Sequence, residues 1–265
     1  ATGVSIEDPQ LLVTALHTFK SKTKCDIMDG VYIYTPQDSN GKIQVPKVVD
    51  NKKVLGLYLS SNPNSGKMYQ EYMRVKQLIK DNCLPVGHPL NPTKSSKIDT
   101  MSSPADKVIL RLQSPKDNEV NMINYAKIVD KNELNQIKNK TKNGKTIDVQ
   151  MHGYNYKRDE ISYTLGNKLW RRSFSDGGID DFAYDAKLFY GFSGGSLTLK
   201  NEDKVFGFHS GVVYSGNCQR DVKFCSKISI LTEEDIDTIQ QKAADLRNSR
   251  AKTEQIIAKQ SLQGS

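Results

Sequence analysis

The chain has 265 residues, of which 37% are hydrophobic, with a formal net charge of +8 and a mean hydropathy of −0.58. That length suffices for one large or two small hydrophobic cores, and the composition is typical of a soluble globular protein. No run approaches the roughly 18 consecutive apolar residues that span a bilayer, so we expect no membrane anchor.

Two short strands around a polar turn are predicted at the start of the chain, over residues 1–6 and 11–17. The second strand ends in His17, whose imidazole can act as a general base. The N-terminal segment therefore supplies the first candidate catalytic residue.

Further short strand candidates recur along the chain, separated by turns rich in Gly, Asn and Asp. Asp106 leads one of them, an alternating run that contains β-branched residues. Many short strands separated by turns predict an all-β sandwich or barrel. The candidates are residues 30–34, 53–59, 106–112, 145–151, 160–163, 182–188, 196–199 and 204–213.

A long segment with partly helical spacing lies between His17 and Asp106. Residues 66–82 carry apolar side chains at near-helical intervals with Lys and Glu between them, which predicts a helix. Flanking stretches rich in Pro, Gly, Ser and Asn stop regular structure. We expect an insertion at about residues 60–100 that either restricts or serves a substrate cleft, or is a decorative loop.

A second polar stretch, residues 132–145, is rich in Lys and Asn. Its positive charge raises a nucleic-acid partner as an alternative, but the stretch lacks interleaved aromatic residues and a recognisable binding fold. We therefore expect a solvated linker and no nucleic-acid partner.

Residues 191–197, Gly-Phe-Ser-Gly-Gly-Ser-Leu, are the most informative stretch for chemistry. A serine flanked by glycines can present its hydroxyl on a tight turn while neighbouring backbone N–H groups converge on one point. This pattern predicts a nucleophile, Ser193, beside an oxyanion hole. The same residues also occur in ordinary flexible loops, which is the structural alternative.

Four cysteines, Cys25, Cys83, Cys218 and Cys225, lack the paired spacing of a zinc site, so we expect no metal and no other cofactor. Cys218 and Cys225 could close a hairpin in an oxidising compartment. Free thiols fit the sequence equally well.

A C-terminal helix is predicted from Thr232, an N-cap candidate that precedes an acidic first turn. Its apolar residues continue to Leu246, and the helical pattern runs on to Ile257. We expect this extension either to fray in solvent or to contact a partner. Residues 261–265 are predicted to be a disordered tail.

Three blocks of the sequence occur in the order His, Asp, Ser. They resemble the motifs of the trypsin/chymotrypsin superfamily of serine proteases, which read Thr-Ala-Ala-His, Asp with a hydrophobic run, and Gly-Asp-Ser-Gly-Gly-Pro. Phe192 departs from the Asp or Asn of that pattern, and Ser196 departs from its Pro. The blocks are Thr14-Ala15-Leu16-His17, Asp106-Lys107-Val108-Ile109-Leu110 and Gly191-Phe192-Ser193-Gly194-Gly195-Ser196.

The resemblance implies an all-β, chymotrypsin-like fold of two six-stranded-type antiparallel β-barrels followed by a C-terminal helix. The first barrel with its partly helical insertion is then expected at residues 1–120, the second barrel at 121–231, and the helix and tail at 232–265. Only 16 residues precede His17. These are too few for the first strand of the family's N-terminal barrel, so we expect that strand to be absent here or its sheet edge to be covered otherwise.

The resemblance also implies a role for each motif residue. Ser193 attacks the scissile carbonyl, His17 takes and returns the proton, and Asp106 holds His17 in the required tautomer. The N–H groups of Gly191 and Ser193 bind the oxyanion. The implied activity is that of a serine endopeptidase acting on protein or peptide substrates, and the resemblance favours a secreted or extracellular location.

Residues 182–211 are most similar to the glutamyl endopeptidases of that superfamily. Tyr184-Asp185 begins nine residues before Ser193, and Gly207-Phe208-His209-Ser210-Gly211 follows their Gly-x-His-x-Gly pattern. This implies that His209 donates a hydrogen bond to a Glu or Gln side chain before the cut. A structural strand histidine is the alternative. The other pocket residues that the resemblance implies are Ser210, Gly211, Leu188 and Lys187.

A protease-fold binding or scaffolding protein that has lost turnover is the alternative function. The long insertion, the absent first strand and Phe192 favour it. In either case the insertion or the C-terminal helix is the expected surface for a protein partner.

Overall fold

The structure is a computed structural model, and its description covers part of the chain. The described residues are 2–15, 32–36, 48–49, 52–53, 57–60, 69–77, 107–113, 125–142, 145–155, 160–163, 167–172, 181–184, 192–214 and 224–263.

Strands of the N-terminal half form a closed antiparallel barrel in the order β1-β2-β8-β7-β3-β6. The first strand of this ring, β1, pairs with both β2 and β6, which closes it. A small separate sheet is formed by β4 and β5. The strands are β1 (Thr2–Ser5), β2 (Leu11–Thr14), β3 (Tyr32–Pro36), β4 (Val48–Val49), β5 (Lys52–Lys53), β6 (Leu57–Ser60), β7 (Tyr69–Gln77) and β8 (Val108–Gln113).

The C-terminal half forms a second antiparallel sheet between two helices. Its order is β10-β9-β11-β12-β15-β14-β13, and β13 also pairs with β9, so six of these strands close into a ring from which β10 extends. The elements are α1 (Lys131–Lys140), β9 (Thr146–Asn155), β10 (Glu160–Tyr163), β11 (Asn167–Arg172), β12 (Asp181–Tyr184), β13 (Ser196–Leu199), β14 (Val205–Tyr214), β15 (Phe224–Ile230) and α2 (Glu233–Gln263).

This architecture confirms the predicted fold class: an all-β protein with two six-stranded antiparallel barrels and a C-terminal helix. The predicted strands at residues 160–163 and 196–199 have the bounds of β10 and β13. The alternation of apolar and polar residues was a sufficient signal there.

The edge of the first barrel that a missing strand would leave open is covered by another strand, β6. The edge next to β1 is covered because Gly3 pairs with Thr14 of β2 on one side and with Leu57 of β6 on the other. Within the described residues, β1 and β2 are the strands that precede His17, and β6, which follows it in the chain, covers the free side of β1. This agrees with the expectation that the edge is covered otherwise than by the family's first strand.

The helix predicted at residues 66–82 was also wrong over Tyr69–Gln77, which form β7. This strand is hydrogen-bonded to β3 on one side and to β8 on the other. Residues 73–76, Met-Arg-Val-Lys, alternate apolar and charged side chains, which fits a strand as well as a helix. Pairing on both sides decides between the two, and such pairing overrides a local helical preference.

The predicted linker at residues 132–145 contains a helix, α1. Asp130 caps it, because its side chain accepts a hydrogen bond from the Glu133 N–H at 2.8 Å while the Glu133 carboxylate accepts one from the Asp130 N–H at 2.8 Å. Leu134 and Ile137 are buried on its inner face. This capping box and the apolar pair were present in the sequence beneath the lysine-rich composition.

One hydrophobic core runs through both barrels and α2. The first part of α2 contributes Ile236, Ile239, Ala243 and Leu246 to it, whereas every residue from Ala251 to Gln263 is exposed. The helix continues through residues 261–263, so the predicted disordered tail was wrong for those residues. In the described part of the chain, neither helix holds a stretch apolar enough to cross a bilayer.

Candidate active site

Ser193 lies on a tight turn formed by Phe192, Ser193, Gly194 and Gly195. The Gly195 N–H donates a hydrogen bond to the Phe192 carbonyl at 2.7 Å, and Gly194 has φ +82°. These are the features of a type II turn with Ser193 as its second residue, and the third residue of such a turn favours glycine. Ser193 is partly exposed while both glycines are buried. The predicted serine turn is therefore present.

The turn is pressed against the first barrel at Gly194. A Cβ on this residue would overlap Thr14 Oγ1 and the Thr2 carbonyl oxygen, and would lie 2.7 Å from the backbone nitrogen of Ala15. Only a residue without a side chain allows this approach. The contact joins the serine turn of the second barrel to the end of β2 in the first.

Thr2 makes three hydrogen bonds at the same junction. Its N–H donates to the Ser193 carbonyl at 2.8 Å, its carbonyl accepts from the Thr14 hydroxyl at 2.6 Å, and its hydroxyl accepts from the Tyr154 N–H at 2.7 Å. Thr2 and Thr14 are both fully buried. Buried hydrogen bonds of this kind fix the relative position of β1, β2, β9 and the serine turn. Sequence reasoning missed Thr2, because its partners are distant along the chain.

On the other side the turn is joined to β14. The Gly194 N–H donates to the His209 carbonyl at 2.9 Å, and the His209 N–H donates to the Gly195 carbonyl at 2.8 Å. A β-bulge follows, because the ladder with β15 steps from His209 directly to Gly211 and leaves Ser210 as the extra residue. Both His209 and Ser210 are buried. Three predicted pocket residues thus follow one another beside the serine turn.

Phe192 has a packing role. It is 2% exposed, belongs to the hydrophobic core, and its ring lies where a Cβ on Gly153 of β9 would be 2.7 Å from ring carbon Cδ1. Ser196, the other departure from the family pattern, begins β13 and pairs with His152 and with Phe208. Both departures are accommodated by the core and sheet of the second barrel.

His152 of β9 has a structural environment. Its ring is buried, and Nε2 lies 3.2 Å from the Thr198 hydroxyl on the neighbouring strand β13. Within the described residues, no group of three or more His, Cys, Asp or Glu side chains is placed to hold a metal ion.

His17, Asp106, Gly191, Leu188 and Lys187 lie outside the described residues. The cysteine pairing is likewise untested, since Cys25, Cys83 and Cys218 are outside as well.

The chain segments next to His17 and Asp106 are described. Ala15 comes two residues before His17 and contacts Gly194, and Lys107 directly follows Asp106. In the β2–β8 pair Thr14 lies opposite Val108, so the segments that lead to His17 and Asp106 leave the same end of one strand pair.

Comparison with known proteins gives fold neighbours only. No protein-family model matches the chain, and no curated protein matches it. A thermostable serine protease from an extremophilic microorganism aligns over 91% of this chain and 88% of its own, at 9% identity with a TM-score of 0.47. HL collagenase aligns over 92% of each chain, at 16% identity with a TM-score of 0.49.

Likeness at that level carries no inference about chemistry. Neither neighbour is described as a glutamyl endopeptidase, so that closer resemblance stays a prediction. Any conclusion about activity depends on the geometry around the Ser193 turn.

Proposed function

We propose that this protein is a serine endopeptidase. Ser193 attacks the scissile carbonyl carbon, and His17 takes the hydroxyl proton and then gives it to the leaving amine. Asp106 orients His17 and stabilises the imidazolium that forms. Water then hydrolyses the acyl-enzyme by the same route in reverse, so that no cofactor is needed.

The observation that carries the proposal is the contact between Gly194 and the end of β2. Ala15 lies against the residue that follows Ser193, and only one residue, Leu16, separates Ala15 from His17. Covalent geometry therefore limits the Cα–Cα distance between Ala15 and His17 to about 7 Å. This short separation allows a base at position 17 to reach the serine hydroxyl.

The register of β2 and β8 supports Asp106 as the third member. Continuing the pairing of Thr14 with Val108 by two residues would set Leu16 opposite Asp106. The carboxylate would then lie on the strand next to His17 and one residue away in register. Adjacent strands are about 4.8 Å apart, and side chains one residue apart in register lie on opposite faces of a sheet, so the proposal requires the chain to turn out of the strand after Leu16.

The oxyanion hole of the proposal consists of the N–H groups of Gly191 and Ser193. The assignment follows from the places of Gly191 and Ser193 in the motif, and Ser193 belongs to a tight turn in which the Gly195 N–H is bonded to the Phe192 carbonyl and the Gly194 N–H to the His209 carbonyl. Two converging donors in such a site contribute several kcal/mol of transition-state stabilisation. Removal of one donor typically costs about 2.7–4 kcal/mol.

We also propose that the enzyme cleaves after Glu or Gln and that His209 reads this side chain. Support comes from its position, since His209 is 3% exposed and both of its backbone groups are bonded to the Ser193 turn. An imidazole N–H can donate to either a carboxylate or an amide oxygen. Ser210, Gly211, Leu188 and Lys187 complete the proposed pocket.

Two of the three arguments for an inactive scaffold have lost their force. The edge that a missing first strand would leave on β1 is covered by β6, and Phe192 is explained by core packing on Gly153. The third argument was the long insertion at about residues 60–100. Part of that segment is β7, a strand of the first barrel. The endopeptidase therefore remains the better account.

Labelling with a serine-directed phosphonate tests the proposal. Intact-mass analysis should show one phosphonyl group on the wild-type protein, mapped to Ser193 by peptide sequencing. Ser193→Ala should abolish both labelling and peptide cleavage. Ser229→Ala, which changes a buried serine of β15, should retain both. A wild-type protein that never labels, or an S193A protein that labels equally, contradicts the proposal.

A further inference from the structure

Lys107 is a buried lysine at an unusual place. It immediately follows Asp106, and only 7% of its surface is exposed. Its ammonium group donates to the Ile230 carbonyl at 2.9 Å and to the Asp235 carboxylate at 2.5 Å. Both partners belong to the C-terminal half of the chain, so this side chain links the first barrel to the end of β15 and the start of α2.

The acceptor side of this link is itself well fixed. Asp235 lies in the first turn of α2, where its carboxylate accepts a hydrogen bond from the Thr232 N–H at 2.8 Å. In return the Asp235 N–H donates to the Thr232 hydroxyl at 3.0 Å. This reciprocal cap holds the carboxylate in one orientation. Lys107 is therefore tied to a rigid point, not to a mobile surface acid.

The ion pair between the buried Lys107 and the partly buried Asp235 also fixes the start of β8. Removing a buried ammonium from its partner leaves an uncompensated charge, which is strongly unfavourable, so the pair restrains the backbone that carries it. Val108, the next residue, lies opposite Thr14 in the β2–β8 register. The restrained point thus lies at the end of the strand pair from which the segments to Asp106 and His17 leave.

We propose that Lys107 is a positioning residue for peptide-bond hydrolysis. Through its pair with Asp235, which links the first barrel to the start of α2, it holds the neighbouring Asp106 against His17. This inference rests on the proposed function, and it assigns to Lys107 no contact with the substrate. A displacement of about 1 Å in a catalytic group can lower a rate by about a hundredfold, so a restraint one residue away is sufficient to control turnover.

The test compares kcat, KM and the pH profile of the wild-type protein, Lys107→Met and Lys107→Arg. We expect kcat of K107M to fall about 10-fold to 100-fold with KM within about twofold, because positioning acts on the chemical step. K107R, which keeps a charged donor, should recover most of the loss. The acid limb of kcat/KM should move to lower pH in K107M. A carboxylate that is less well aligned with the His17 imidazole raises the pKa of that imidazole less.

Arg250→Met is the matched control. Among the described residues, Arg250 forms a second ion pair between α2 and the first barrel, with Asp8 in the β1–β2 turn, at the opposite end of that hairpin from Thr14. R250M should lower Tm as K107M does and leave kcat within about twofold of the wild-type value. If K107M does not fold, Asp235→Asn replaces it. This variant keeps an oxygen acceptor but removes the charge, and should lower kcat about 3-fold to 10-fold.

Each outcome decides between the two proposals. A stable K107M or D235N with wild-type kcat and an unmoved acid limb, on a background of normal wild-type labelling, would overturn the role of Lys107 and leave the endopeptidase proposal intact. Equal losses of kcat in R250M and K107M would also overturn it, because they would show a general loss of stability. A wild-type protein without phosphonate labelling or peptidase activity would overturn both.

Discussion

The Ser193 turn and the end of α2 are held in opposite ways. The turn is bonded to β1 through Thr2 and to β14 through His209, and Gly194 has no room for even a methyl group. Residues 251–263 of α2 are exposed throughout, including Ile256 at 57% and Leu262 at 79%. The junction of the barrels therefore tolerates little change in shape, whereas the end of the helix is supported by its own backbone hydrogen bonds.

This contrast is sharpest at Gly194. Gly194→Ala should lower the free energy of unfolding by about 4 kcal/mol, because a Cβ is unfavourable at φ +82° and overlaps backbone and side-chain atoms of the first barrel. It should also abolish peptide cleavage. Urea unfolding checks the first effect and a fluorogenic peptide assay the second.

Gly207→Ala is the control for that variant. A Cβ on Gly207 would meet the Ile228 side chain at 3.0 Å at an ordinary backbone conformation, so the loss should be about 1–2 kcal/mol. Equal stability of the two variants would show that the turn is not constrained as described.

Phe192 offers the next largest effect. Phe192→Ala removes a 2% exposed ring that packs against Gly153, and should cost about 3–4 kcal/mol of stability. Phe192→Leu should cost less, about 1.5 kcal/mol, because it refills much of the volume. Thermal unfolding of both variants measures the difference. A stable F192A protein would contradict the packing role.

A substitution of Thr14 distinguishes an effect on stability from an effect on activity. Thr14→Val removes the hydroxyl that donates to the Thr2 carbonyl, and should cost about 1–2 kcal/mol with a fall in kcat. Thr141→Val is the matched control, since Thr141 is equally buried and its hydroxyl donates to the Ile137 carbonyl at 3.0 Å, away from the Ser193 turn. Similar losses of stability with a lower kcat for T14V alone are expected. The same kcat for both variants would contradict the role of this junction.

The smallest effect is expected at the end of α2. Deleting residues 251–265 should change the free energy of unfolding by less than about 0.5 kcal/mol and leave kcat unchanged, because residues 251–263 are exposed. A deletion that starts at residue 247 also removes Arg247, which donates to the Glu7 carbonyl at 2.9 Å, and Arg250, whose pKa the Asp8 carboxylate raises. This longer deletion should be measurably less stable. Large destabilisation by the shorter deletion would show that the exposed part of α2 is held by contacts.

Local patterns allowed much of the fold to be predicted. Alternation marked strands such as β10 and β13, and the acidic first turn after Thr232 marked the start of α2. The same reasoning failed at β7, where the spacing of apolar residues fits a helix as well and pairing with β3 and β8 decides. Distant partners settle such segments, and a single sequence does not show them.

In the candidate site, too, some features could be predicted from the sequence and others could not. The Ser193 turn could be predicted because glycine at a positive φ is a local requirement. The hydrogen bonds of Thr2 and the ion pair of Lys107 could not, since the Tyr154 and Asp235 partners are more than a hundred residues away. The sequence motifs identify the reacting groups, but the contacts that hold these groups in place form only in the folded barrels.

The most direct test of the account is a crystal structure of the protein with a peptidyl phosphonate bound. The account predicts a covalent bond to Ser193 Oγ and a His17 ring nitrogen about 3 Å from that oxygen. It also predicts the Asp106 carboxylate on the other ring nitrogen. A phosphonate attached elsewhere, or a His17 ring beyond hydrogen-bonding reach of Ser193 even through one water, would contradict it.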